Sequence, residues 1–129
     1  MWPFSGKAHG LIQDKWLDDR GISRIYQSSF NWNKKKLNAE ISKVESRRKA
    51  SENDIAGLEA QLLTKNMNKA KLEDQLGALD QDGQGQQRKV VEEQINVIFQ
   101  DVEILGNDMI EKKALRIRHE RTISMLQNI

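Results

Sequence analysis

Apolar residues along most of this chain recur at alternating intervals of four and three. From Phe30 to Leu79 the stripe runs through positions 30, 34, 37, 41, 44, 48, 51, 55, 58, 62, 65, 69, 72, 76 and 79. Ten of these fifteen are apolar, and the interruptions are Lys34, Arg48, Ser51, Lys65 and Lys69. A second stripe occupies 91, 95, 98, 102, 105, 109, 112, 116, 119, 123 and 126, broken only by Lys112, Arg116 and His119. Such alternation keeps one side of a helix turned toward a partner, which is the coiled-coil pattern. Between the two stripes lies Asp80-Gln81-Asp82-Gly83-Gln84-Gly85-Gln86, whose glycines and polar residues read as a turn. The pattern predicts an all-α fold, a long antiparallel coiled-coil helical hairpin with helices over about 31–79 and 87–127 and the turn at 80–86.

The two stripes test each other. Helices folded back around a turn between Gly83 and Gln84 pair residues whose numbers sum to about 167. That places Leu76 against Val91, Leu72 against Ile95, Leu62 against Leu105, Leu58 against Met109, Val44 against Ile123 and Ile41 against Leu126. Polar positions meet as well, Arg48 opposite His119 and Ser51 opposite Arg116. Lys65 and Lys69 face Val102 and Ile98, where their stems cover apolar surface while the ammonium groups reach water. Arms of this length extend roughly 60–70 Å.

Residues 1–30 break the pattern and read as a separate N-terminal docking arm with a short helix, ahead of a hairpin spanning 31–129. They hold Trp2, Phe4, Trp16 and Tyr26, which with Phe30 at their end make five of the seven aromatic residues, and the one proline, Pro3. Gly6 and Gly10 make the first ten residues an extended arm. Leu11, Ile12, Trp16 and Leu17 have helical spacing and predict a short helix closed near Gly21, with a further turn through Ile22, Ile25 and Tyr26. These apolar residues either cap the open end of the hairpin or engage a neighbouring molecule, and Trp2, Phe4 and Trp16 are the candidates for the second role.

Two further stripes fall outside the seams: Ala56, Ala60, Leu63, Met67 and Ala70 on the first helix, and Val90, Val97 and Ile104 on the second. Two helices cannot cover a second apolar face. Leu63, Met67, Val90, Val97 and Ile104 are therefore expected to meet further copies of the chain or another protein.

Composition adds little until charge is located. The 129 residues are 37% hydrophobic and 31% charged, which suits long helices with narrow seams. The absence of cysteine excludes disulfides and thiolate chemistry, and no apolar run approaches the roughly 18 residues of a membrane span. No signal-peptide core is visible, so the chain reads as soluble, in the cytoplasm or within a particle. The net charge of +2 conceals a strong asymmetry. Residues 31–53 carry seven Lys/Arg against three Asp/Glu and residues 112–129 five against one, a net of +8 at the open end. Residues 54–111 carry five against twelve, a net of −7. Lys34, Lys35, Lys36, Arg47, Arg48, Lys49, Arg116, Arg118 and Arg121 are candidates for an anionic partner, either acidic protein or the phosphates of nucleic acid.

Catalytic and metal chemistry find no support in the residues. Asp80, Asp82 and Gly85 match three positions of a calcium loop, but Gln84 and Val91 stand where further oxygen ligands belong. Ser5-Gly6-Lys7 lacks the first glycine of a phosphate-binding loop, and His9 and His119 lie far apart. His119 is expected to complete a polar layer with Arg48. The expectation is a non-enzymatic structural or adaptor subunit of a multi-protein assembly, such as a virion or similar particle, without cofactor or metal. The alternative is a basic helical accessory protein that binds nucleic acid.

Overall fold

The computed structural model describes residues 12–79 and 85–129. About 90% of this part is helical and none of it is strand. A short 3-10 turn at Asp14–Trp16 precedes three helices, α1 (Asp19–Ser29), α2 (Lys34–Ala78) and α3 (Gly85–Gln127). The long α2 packs against α3 as a helical hairpin. Both helices pass through two compact units, one of residues 12–54 and 112–129 and the other of residues 55–111.

In the unit of residues 55–111 the exposure pattern reproduces the heptad. On α2 the shielded positions are Ile55, Leu58, Leu62, Lys65, Lys69, Leu72 and Leu76, followed by Leu79, with exposed residues between them. On α3 they include Val91, Ile95, Ile98, Val102, Leu105 and Met109. Lys65 Nζ lies 3.1 Å from Asp101 Oδ2, and Lys69 Nζ sits 5.4 Å from the centre of the Phe99 ring. Each pair is within one residue of the predicted antiparallel register. Arg88 Nη1 donates to the Leu76 carbonyl oxygen at 3.3 Å, satisfying one of the acceptors that the end of α2 leaves open. Most of the predicted turn, residues 80–84, lies outside the described part. Gly85 and Gln86 belong to the first turn of α3 rather than to a loop.

The other unit has a core of Ile12, Leu17, Ile25, Val44, Ile123 and Leu126, with Ile22, Trp32, Leu37, Ile41, Leu115 and Met125 packed around it. Residues 12–32 thus supply a third layer over α2 and α3, and the reading of their apolar residues as a cap on the hairpin holds for Ile12, Leu17, Ile22 and Ile25. The predicted helix closing at Gly21 is corrected. Asp18 accepts the Gly21 N–H at 2.7 Å through its carboxylate and the Ile22 N–H at 2.9 Å through its carbonyl, so α1 starts there. Gly21 is needed for a different reason: a Cβ at this position would fall on the carbonyl of Trp16. The 3-10 turn and the first turn of α1 approach so closely that only glycine fits.

The first seam also starts later than the spacing predicts. Phe30 follows α1, is 62% exposed, and stacks edge-to-face on Tyr26 with ring centres 4.8 Å apart. The chain breaks there because Asn33 begins a new helix, its side chain accepting the Lys36 N–H at 2.8 Å. Lys34 is exposed in the first turn of α2, and Leu37 is the first shielded seam residue.

Candidate functional site

The residues proposed to meet partners fall in three places. Trp2 and Phe4 lie outside the described residues. Leu63 and Met67 on α2, and Val90, Val97 and Ile104 on α3, are all more than half exposed in the unit of residues 55–111. Heptad phase separates them: Leu63 and Met67 lie nearly opposite the α2 seam, whereas Val90, Val97 and Ile104 share one flank of α3. Val90 and Val97 line a groove that crosses to Asn68, Lys71 and Gln75 on α2. Phe99 and Ile110, 57% and 67% exposed, were not singled out by the sequence pattern.

Among the basic candidates, structure and sequence diverge most at Arg47. Its guanidinium donates to the Ile12 carbonyl at 2.5 Å and lies 3.6 Å from Asp14 Oδ1, so it holds the N-terminal segment on α2. Arg48 pairs with Glu52 at 2.8 Å, Arg116 with Glu120 at 3.8 Å and Arg121 with Asp19 at 3.4 Å. These pairs are partly exposed and individually weak. Lys36 lies 5.4 Å from the centre of the Trp32 ring. Lys34, Lys35, Lys49 and Arg118 are exposed and make no ion pair with the described residues.

The expected layer of His119 with Arg48 is replaced by another contact. His119 is fully buried, and its Nε2 lies 2.7 Å from Asp14 Oδ1. A ring nitrogen this close to a carboxylate carries the proton and donates it. The buried Nδ1 has no hydrogen-bond partner among the described residues. Asp14 therefore joins α3 through His119 and α2 through Arg47. Sequence spacing could not reveal this clasp, because Asp14 belongs to no helical stripe.

A concave site lies on the surface formed by the 3-10 turn and α1. It encloses about 590 Å³. Ile12 and Ile25 are its buried floor, and Trp16 and Trp32 stand at its sides. Lys15, Arg20 and Arg24 line it together with Asp18. The sequence pattern marked Trp16 as a docking residue but did not identify the cations around it, since they are spread over ten positions of a segment with little net charge. Among the described residues no group of three His, Cys, Asp or Glu side chains is arranged to hold a metal ion. No helix of the described residues is long and apolar enough to cross a membrane. No protein-family profile matches the chain, and no curated protein or solved structure shows significant similarity to it.

Proposed function

We propose that the chain is a non-enzymatic structural or adaptor subunit of a larger protein assembly, docking through the apolar flanks of its hairpin and through its N-terminal arm. The observation that carries this reading is the exposure of Leu63, Met67, Val90, Val97 and Ile104, each more than half open on a pair of helices whose seam is already occupied. Burying such a side chain is worth about 1.5–3 kcal/mol, a gain that only another chain can supply. A particle such as a virion is one setting for such a subunit, and Trp2 and Phe4 would add contacts from the arm. The alternative, nucleic-acid binding by the basic unit, is weakened because Arg47, Arg48, Arg116 and Arg121 already pair with carboxylates of the same unit.

The test is Leu63→Glu and Met67→Glu in the full chain, followed by sedimentation and by recovery of co-purifying proteins. Both variants are expected to keep their helicity and to lose the assembly, as is a chain lacking residues 1–10. Normal assembly by the Glu variants rules out the docking role of the α2 flank. Tight duplex DNA binding that weakens steeply with salt would support the alternative.

A further inference from the structure

The unit of residues 12–54 and 112–129 carries fifteen Lys/Arg against eight Asp/Glu, a net of +7, and the unit of residues 55–111 five against eleven, a net of −6. Within the basic unit, Lys15, Arg20 and Arg24 surround an apolar pocket and make no ion pair with any described residue. The carboxylate of Asp18, which shares the pocket, is occupied in capping α1. Two indoles, an aliphatic floor and three cations that pair with no described residue select a ligand that is apolar and acidic together. The α3 flank of the acidic unit has this chemistry. Val90 and Val97 are 53% and 57% exposed, and Glu93 lies between them in the same groove, without an ion pair among the described residues.

We propose that the Trp16/Trp32 pocket of one copy receives the Val90–Glu93–Val97 flank of a second copy, so that copies join head to tail. This rests on the subunit reading above and names the partner for one of its surfaces. Charge selects the pairing. Two acidic units brought face to face repel each other, while the basic pocket and the acidic flank attract. Lys71 lines the groove as well, and Asp18 lines the pocket. The donor and acceptor surfaces differ, so each added copy presents a fresh flank until the rotation between copies closes a ring. A contact of one pocket with one helix flank is expected to bind weakly and to respond to salt, since stable complexes bury roughly 1,200 Å² or more.

Sedimentation of the full chain over a concentration series tests the idea. The native chain is expected to form species larger than a dimer at low salt, and raising salt from about 50 to 300 mM should weaken association on the order of tenfold. Arg24→Glu and Val97→Glu, both at exposed positions, should each be monomeric. Their equimolar mixture should give a heterodimer and nothing larger, because each variant keeps one intact half of the contact. Arg20→Glu provides a second pocket variant should Arg24→Glu fold poorly, with melting by circular dichroism as the control. A native chain that stays monomeric overturns the proposal, as does a mixture that stays monomeric. Association of Arg24→Glu and Arg20→Glu at native strength also overturns it and assigns self-contact to another face. In each of these cases the subunit reading stands or falls separately, on recovery of other proteins by the Leu63→Glu chain.

Discussion

The same two helices are packed differently in the two units. Where residues 12–32 lie over α2 and α3, Ile12, Leu17, Val44 and Leu126 are almost completely removed from water, and so are the polar side chains of His119 and Thr122. In residues 55–111, Ile55 is the only buried hydrophobic side chain among those described, and every other seam residue remains half open. Heptad quality does not account for the difference. The seam through Leu58, Leu62, Leu72 and Leu76 is more apolar than the one through Arg48 and Ser51. What differs is the number of layers: two helices shield one stripe each, and a third segment encloses side chains that the pair alone leaves partly open.

The largest test of this contrast is truncation of one leucine in each unit. Leu17→Ala is expected to cost about 2–5 kcal/mol, as for a fully buried leucine. Leu72→Ala should cost about 1–2 kcal/mol, because its site is already half in water. Chemical denaturation of both variants measures the difference, and equal losses would show that the third layer adds nothing. Gly21→Ala comes next. The added methyl must displace the Trp16 carbonyl, and the overpacking is expected to cost about 1–3 kcal/mol in the same measurement. Unchanged stability would mean that the 3-10 turn is not held against α1. Asp14→Ala has the smallest expected effect, about 1–2 kcal/mol, from leaving buried His119 without its one hydrogen-bond partner. His119→Leu in the Asp14→Ala background should recover part of that loss, since an apolar side chain has no hydrogen bond to miss. An Asp14→Ala chain as stable as the native one would remove the clasp from the account.

Much of the hairpin is legible in residue spacing because a heptad is a local property. Leu58, Leu62, Leu72 and Leu76 recur with the period of a helix, and the register between helices follows from counting back across the turn. The Lys65–Asp101 and Lys69–Phe99 contacts obey that count. The exposed flank of Val90, Val97 and Ile104 is legible on the same ground, as apolar residues that recur out of phase with the seam. Lys65 and Lys69 show the limit of reading identity alone, since a lysine can occupy a seam position when its stem packs and its charge reaches a carboxylate or a ring.

The sequence by itself determined which faces of α2 and α3 meet, because periodicity ties side-chain direction to residue number. Only the tertiary structure decided what residues 12–33 do. Their elements are short, and two of their boundaries depend on single side chains, Asp18 capping α1 and Asn33 capping α2. The contacts that place this segment, Asp14 with His119 and Arg47 with the Ile12 carbonyl, join residues far apart in the chain. No repeat carries such information. It comes from the free energy of closing a third layer over a seam that two helices leave half open.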